Sequence, residues 1–129
     1  MSESQDVLAF AEKFIDAIQR GDLDATRACY APDAKIWHNF DDVEQTVDQN
    51  IRSLRWFARN LPDRNYRLVR RELLPDGYMQ QHVLEATLPD GSPFAMAACC
   101  VIRMKDGLIT RLDEYLDSAQ TTVLQTIGR

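Results

Sequence analysis

The residues best suited to acid–base chemistry are the two histidines of the chain, His38 and His82, together with the acidic residue Glu114. Each lies among apolar residues in a segment with the alternating pattern of a β-strand. Imidazole titrates near neutral pH, and a carboxylate inside an apolar lining needs a partner because the loss of hydration is costly. A histidine paired with Glu114 would have a defined tautomer and a pKa suited to general acid or base catalysis.

Alternation along the strands predicts which side chains share a pocket with these groups. Ile36 lies on the same face as His38, and the apolar segment FAMAACCVIRM supplies one further set of inward side chains. Two aromatic residues of the preceding helix belong either to the core or to the pocket mouth. The predicted ligand-binding lining is Ile36, Trp56, Phe57, Gln80, Leu84, Cys100, Ile102, Leu112 and Leu116.

Two other interpretations fit the same three polar residues. Two histidines and a glutamate have the composition of a facial-triad metal site, but no His-x-His or His-x-x-x-His spacing occurs. We therefore predict no metal and no other cofactor. The residues could also be hydrogen-bonded polar groups in a non-catalytic cavity, and replacing His38 by alanine separates this case from catalysis.

The elements that must position these groups change from helical to strand-like along the chain. Helical spacing and stop signals predict helices over Ser2–Arg20, Asp22–Ala31 and from Asp41 or Asp42 to Leu61, with a strand over Ala34–His38. Period-two patterns and turn residues then predict strands over Arg64–Leu74, Tyr78–Leu88, Pro93–Met104 and Leu108–Asp117. The tail 118–129 is weakly determined, with Val123, Leu124 and Ile127 able to dock.

Helices followed by successive hairpins predict one α+β domain over residues 1–129, with a mostly antiparallel sheet. In FAMAACCVIRM both alternating sets are apolar, so one set lines the core and the other needs a second cover. We predict a homodimer packed through the sheet. The arginines of NYRLVRRELL are interpreted as a solvated strand face or a dimer rim.

Composition limits the remaining partners and the compartment. The formal net charge is −5 and the arginines are scattered, which argues against a nucleic-acid surface. No apolar run is long enough to span a membrane, and the first residues lack the features of a signal peptide. Three cysteines do not make a disulfide framework. These observations predict a cytoplasmic protein with no nucleic-acid and no membrane partner.

Two motifs, YAPDAKIWHN after the first two helices and DGLITRLDEYLD at the closing hairpin, resemble the nuclear transport factor 2-like superfamily. The similarity is greatest to its SnoaL-like and ketosteroid-isomerase-like members. It implies a cone-shaped α+β barrel in which three N-terminal helices pack on a curved sheet, with a pocket at the open end. Such proteins commonly dimerise.

The resemblance also suggests roles for single residues. The carboxylate base of the isomerases matches His38, five residues after the aspartate of YAPD, and their oxyanion-hole aspartate falls near Cys100. The Arg-x-Asp pair of limonene-epoxide-hydrolase-like members matches Gln80 and His82, whereas their other catalytic carboxylate is retained as Glu114. The resemblance implies cofactor-free isomerase, cyclase or hydrolase chemistry on a small, largely apolar molecule. The alternative is a non-catalytic ligand-binding or assembly module of the same fold.

Overall fold

The computed structural model describes residues 3–127, which form helices packed on one face of a curved sheet. The elements in chain order are α1 (Glu3–Arg20), α2 (Leu23–Arg27), β1 (Tyr30–His38), β2 (Val43–Gln45), α3 (Val47–Asn60), β3 (Asn65–Leu74), β4 (Gly77–Thr87), β5 (Pro93–Lys105), β6 (Leu108–Leu116) and α4 (Ser118–Gln125). The predicted α+β class is confirmed. The predicted helix start at Ser2 and the tail residues 128–129 lie outside the described residues.

The six strands form one sheet in the order β2-β1-β6-β5-β4-β3. Strands β3 to β6 are joined by successive hairpins and pair antiparallel, and β2 also pairs antiparallel with β1. Only β1 and β6 run parallel, which brings His38 at the end of β1 beside Glu114 near the end of β6. The sheet is therefore mostly antiparallel, as predicted.

The register of the sheet places five polar or thiol residues in one row across five strands. Arg71 of β3 pairs with Gln80 of β4, and Gln80 pairs with Cys100 of β5. Cys100 pairs with Glu114 of β6, and Glu114 pairs with His38 of β1. Because paired residues project from the same face, their side chains are neighbours on the inner surface of the sheet. We call this set the polar row.

The core fills the space between the sheet and the helices in two parts. Beneath α1 and α3, Phe14 packs edge-on against Tyr30 with ring centroids 5.5 Å apart, and Ile51 is buried with them. At the other end, Leu84 and Met96 pack with residues of α4. The predicted docking of the tail is confirmed, since Ile127 is buried and Val123 and Leu124 pack against the same cluster.

The second helix is shorter than predicted, and β1 begins earlier. Helix α2 ends at Arg27, and Tyr30 already pairs with Ile109 of β6. Pro32 indicated that the helix must end before residue 32. It did not indicate that β1 begins at Tyr30, two residues before the proline. Pro32 is tolerated inside β1 because β2 covers only Ile36–His38, and the pairing with β6 is irregular between Tyr30 and Lys35.

The predicted start of the third helix at Asp41 or Asp42 is wrong. Asp42 adopts a positive φ of 54° in a turn, which leads into the short strand β2. Helix α3 begins after Thr46, whose hydroxyl accepts from the Gln49 amide while the Gln49 side chain accepts from the Thr46 amide. This reciprocal capping box is the true start signal.

The tail contains a helix that the sequence pattern did not indicate. Helix α4 is capped by Asp117, whose carboxylate accepts from the Ala119 amide at 3.0 Å. Its sequence is short and rich in threonine and glutamine, so no helical stripe stands out. Among residues 3–127, no helix is both long and apolar enough to cross a membrane.

Candidate active site

A cavity of about 910 Å³ lies between the inner face of the sheet and helices α1, α3 and α4. All nine predicted lining residues and the three predicted catalytic residues border it: Ile36, Trp56, Phe57, Gln80, Leu84, Cys100, Ile102, Leu112, Leu116, His38, His82 and Glu114. The fold thus brings together every residue of the predicted site. Their roles in binding and catalysis remain predictions.

A close polar contact in the cavity joins His38 and Glu114. His38 Nε2 lies 3.1 Å from Glu114 Oε1, and the side chains are 11% and 19% exposed. The parallel pairing of β1 and β6 makes the two residues direct neighbours. Asn39 secures this position, because its backbone amide donates to the Glu114 carbonyl and its side chain exchanges two hydrogen bonds with the backbone of Leu116.

The second oxygen of Glu114 faces the other side of the cavity. Cys100 Sγ donates to Glu114 Oε2 at 3.4 Å, and His82 Nε2 lies 3.9 Å from the same oxygen. Burial raises the pKa of the Cys100 thiol well above its usual value, and the nearby carboxylate adds to the effect. Cys100 is therefore a protonated donor, which argues against a nucleophilic role.

The two histidines have opposite pKa shifts because their surroundings differ. Burial lowers the pKa of His38, but the hydrogen bond and charge of Glu114 outweigh it, and the net shift is upward. Burial also lowers the pKa of His82, where the more distant carboxylate compensates only in part. Burial raises the pKa of Glu114, but the contacts with His38, His82 and Cys100 together outweigh it, and the net shift is downward. His38 and Glu114 thus form a charge-stabilised pair, while His82 stays neutral.

The other ring nitrogen of His38 has no partner. Nδ1 is buried and, within the described part of the chain, makes no hydrogen bond. A buried polar atom without a partner is uncommon and is often found where a ligand or water binds. With Nε2 held by Glu114, Nδ1 is the ring nitrogen of His38 whose hydrogen-bonding capacity is unused among the described residues.

One set of described residues could hold a metal ion, and it differs from the triad considered from sequence. His82, Cys100 and Glu114 offer ligand atoms that all lie within 4.8 Å of one another, whereas His38 is not among them. The raised pKa of Cys100 disfavours the thiolate that a soft metal requires. The residues present fit an acid–base site better than a metal centre.

Sequence reasoning missed several polar and aromatic residues of the cavity. Tyr66 stacks edge-on against His82 with ring centroids 5.4 Å apart, and Tyr30 donates to Asn50 at 3.1 Å. Gln45 also lines the cavity, and its buried Oε1 makes no hydrogen bond within the part of the chain that the structure describes. Gln45 belongs to β2, which was read as helix, so its direction could not be predicted.

The interpretation of all NYRLVRRELL arginines as a solvated face or dimer rim is wrong for Arg71. Its side chain is only 9% exposed and donates twice to Gln80 Oε1, at 2.9 and 2.6 Å. Simple alternation could not have indicated this, although Arg71 directly faces Gln80 across the β3–β4 pair. A register shift between Leu68 and Arg70 puts Arg71 on the inner face and hides the pattern.

Comparison with known proteins agrees with this architecture. A family model described as a SnoaL-like domain matches residues 11–112. A search of curated protein sequences finds no significant match. IdmH from Streptomyces antibioticus, provisionally assigned as a polyketide cyclase, superposes with a TM-score of 0.79 at 19% identity, covering 96% of this chain and 99% of its own.

Two further solved structures have the same fold. A protein from Xanthomonas campestris pv. campestris, also provisionally assigned as a polyketide cyclase, gives a TM-score of 0.80 at 20% identity over 96% of this chain and 98% of its own. A hypothetical protein with a ketosteroid-isomerase-like fold from Catenulispora acidiphila DSM 44928, solved with trimethylamine, gives a TM-score of 0.77 at 12% identity over 92% of this chain and 93% of its own. At these identities the likeness concerns the fold.

Proposed function

The chain belongs to the SnoaL-like domain family, and we propose that it is a small-molecule enzyme that uses cofactor-free acid–base chemistry. Its substrate is a small, largely apolar molecule with a carbonyl, epoxide or hydroxyl group. The observation that carries the proposal is the His38–Glu114 pair, which lies in an otherwise mostly apolar cavity and leaves Nδ1 of His38 without a hydrogen bond to any residue of the described range 3–127.

In the proposed reaction His38 moves the proton. Glu114 accepts a hydrogen bond from Nε2–H, fixes the ring and stabilises the imidazolium that forms when Nδ1 takes a proton. The raised pKa of His38 increases its strength as a base while keeping both protonation states accessible near neutral pH. Nδ1 can then return the proton to a second atom of the same substrate.

Proton transfer next to a carbonyl group suits this site better than hydrolysis. A base at Nδ1 of His38 would remove a proton from carbon, and the carbonyl oxygen would take up the electron pair as an enolate. Such an oxygen needs a hydrogen-bond donor that is already in place. His82 and the protonated Cys100 are the donors bordering Glu114, and the provisional cyclase assignments of two structural relatives favour the same chemistry.

The experiment that tests the proposal combines a substrate screen with variants of His38. Wild-type protein is incubated with a panel of apolar ketones, and exchange of their α-hydrogens with deuterated water is followed by NMR. We expect exchange catalysed by wild type to fall by at least about a hundredfold in His38→Ala, the usual contribution of a positioned base. Asp113→Asn, adjacent to Glu114 but on the opposite face, serves as control and should keep full activity.

The alternative is a non-catalytic binding module of the same fold. The largely apolar lining and the trimethylamine complex of one structural relative favour this candidate. In that case ketones from the panel bind, but no exchange is catalysed, and His38→Ala changes affinity only slightly. Folded protein that binds without exchange would therefore select the module over the enzyme.

We also propose that two copies pair through the outer face of the sheet. Inner residues of β5 are buried, whereas Ala95 and Ala97 on the outer face are exposed and Cys99 and Val101 are half-buried. Tyr115, 51% exposed, continues this surface on β6. All three cysteines are free, which supports a reducing, cytoplasmic location as part of the proposal.

A further inference from the structure

A chain of hydrogen bonds leads from the protein surface to His82. Glu12 of α1 accepts from Arg71 Nη1 at 2.5 Å. Arg71 donates from Nε and Nη2 to the single oxygen Oε1 of Gln80. The amide nitrogen of Gln80 lies 3.0 Å from Nδ1 of His82. The contacts between Arg71, Gln80 and His82 belong to the sheet, and Glu12 secures the arginine from the helix above.

The direction of each hydrogen bond in this chain is fixed by chemistry. An arginine side chain is always charged and can only donate. Gln80 must therefore present its oxygen to Arg71, which leaves its NH₂ group facing His82. A nitrogen that faces an NH₂ donor must be an acceptor, so Nδ1 of His82 carries no hydrogen. Neutral imidazole has one N–H, which must then be on Nε2.

We propose that Arg71 and Gln80 are positioning residues that lock His82 in the neutral tautomer with its hydrogen on Nε2. The locked ring presents a permanent N–H donor beside Glu114. Protonating His82 would place N–H on Nδ1 against the NH₂ of Gln80, so the lock opposes the cation as well as the other tautomer. The use of this N–H donor in catalysis rests on the proposed function, whereas the assignment of the tautomer does not.

The free end of His82 fits this assignment. Its Nε2 lies 3.9 Å from Glu114 Oε2, beyond hydrogen-bonding distance, and makes no other hydrogen bond to the described residues. The N–H is thus available to an oxygen atom of a bound molecule. A metal at Nε2 would need the opposite tautomer, which would break the contact with Gln80. The lock therefore also works against the metal site formed by His82, Cys100 and Glu114.

The hydrogen bonds that join Arg71, Gln80 and His82 are largely shielded from solvent, but they are not tightly enclosed. Gln80 and His82 are 4% and 5% exposed. A second cavity of about 170 Å³ borders Glu12, Arg71, Gln80 and His82 from the side of α1. Charged or titratable groups face His82 from β3 (Arg71 and Tyr66), from β5 (Cys100) and from β6 (Glu114). The contact with Nδ1 itself comes from the uncharged Gln80, so Gln80 is the residue to change.

The test is direct observation of the histidine tautomer. Long-range ¹H–¹⁵N correlation spectra of ¹⁵N-labelled protein without ligand distinguish the two neutral forms and the cation. At pH 8 we expect the Nε2–H tautomer of wild-type His82 to be at least about tenfold more populated than the Nδ1–H tautomer. In the Nδ1–H tautomer the ring N–H and the Gln80 NH₂ group would be two buried donors facing each other. In Gln80→Glu the new carboxylate can only accept, so the hydrogen should move to Nδ1 or the ring should become cationic.

Matched variants distinguish a specific effect of Gln80 and Arg71 on the His82 tautomer from a nonspecific change in the structure. Gln81→Glu places the same charge on the opposite face of β4 and should leave the tautomer of His82 unchanged. Arg71→Met frees the Gln80 amide to turn and should bring the two tautomers to comparable populations, whereas Arg70→Met should not. Arg71→Lys, which keeps one donor, should restore part of the Nε2–H excess. Should Arg71→Met fail to fold, Gln80→Glu decides alone.

Two results would overturn the inference. One is a wild-type His82 with its hydrogen on Nδ1 or with both tautomers equally populated. The other is a folded Gln80→Glu protein in which His82 is unchanged. The spectra are recorded without ligand, so the two tests are independent. If His82 is in the Nε2–H tautomer but the protein catalyses no α-hydrogen exchange, only the proposed function is refuted. Exchange activity with an unlocked His82 refutes only this inference.

Discussion

Glu114 makes the two histidines of the cavity chemically different. One of its oxygens is 3.1 Å from His38 and the other is 3.9 Å from His82. The closer contact is a hydrogen bond that favours the charged ring, whereas the longer one is too weak to offset burial. A single half-buried carboxylate thus stands beside two histidines whose pKa shifts are opposite.

The pairing of His38 and Glu114 predicts a pH-dependent contribution to the free energy of unfolding. The raised pKa of His38 stabilises the fold below the ordinary histidine value, and this contribution is lost as pH rises through the folded pKa. The lowered pKa of Glu114 stabilises the fold above the ordinary carboxyl value and is lost as pH falls through the folded pKa. The full effect therefore lies between about pH 5 and pH 6.5.

Glu114→Gln should accordingly lower the free energy of unfolding by about 1.5–3 kcal/mol at pH 6, the range for a hydrogen bond between charged groups, and by less at pH 8. Urea unfolding at the two pH values measures this difference. Asp113→Asn loses only partly exposed contacts with Arg111 and should cost less than about 1 kcal/mol at both. If Glu114→Gln lowers the free energy of unfolding equally at pH 6 and pH 8, His38 and Glu114 do not form a charged pair.

At the scale of elements, the register of the sheet assembles the site. The polar row depends on the β4–β5 pairing that sets Gln80 beside Cys100 and on the parallel β1–β6 pairing that sets Glu114 beside His38. Slipping a strand by one residue would turn its side chains to the other face. The site should therefore be lost when a residue that fixes this register is changed.

Gly77 at the start of β4 is such a residue. A Cβ at this position would lie 1.9 Å from the carbonyl oxygen of Ile102, so the backbone of β4 or β5 would have to move. We expect Gly77→Ala to lower the free energy of unfolding by about 2–4 kcal/mol. Gly91→Ala meets open space and is strained only by its φ of +88°, which costs about 1–2 kcal/mol. Urea unfolding of both variants shows which one loses more free energy of unfolding. A smaller loss for Gly77→Ala than for Gly91→Ala would contradict the clash with the Ile102 carbonyl.

Strands β3 to β6 could be predicted from sequence because alternation and Asp-Gly turns define them locally. The inward direction of His38, His82 and Glu114 followed from the same alternation. Strand β2 and the early start of β1 could not be predicted, because three residues carry no period and Tyr30 is placed by a distant partner, Ile109. Arg71 was misread because a β-bulge reverses the faces of its strand.

At the scale of the whole molecule, the outer face of the sheet predicts the proposed dimer. The small residue Ala95 lies beside the Arg67–Glu85 ion pair, and farther along β5 the Arg111–Asp113 pair lies beside Val101 and Arg103. A flat apolar strip with a charged rim is typical of a protein interface. Wild-type protein should sediment as a dimer at micromolar concentration. Ala97→Glu should shift it to monomer, since it buries unpaired charges at the centre of the interface.

The control for the dimer is Thr122→Glu, which adds the same charge on the exposed side of α4. This variant should sediment as wild type does. Wild-type protein that is monomeric at micromolar concentration would contradict the pairing. An Ala97→Glu protein that remains dimeric would place the interface elsewhere.

The central claim is that His38, His82 and Glu114 share one electrostatic site, and an NMR titration of both histidines in wild type and Glu114→Gln tests it most directly. In wild type, His38 should titrate above the ordinary histidine pKa and His82 below it. Removing the carboxylate should lower the pKa of both, and that of His38 more. Two histidines that titrate like free imidazole and do not respond to position 114 would contradict the account.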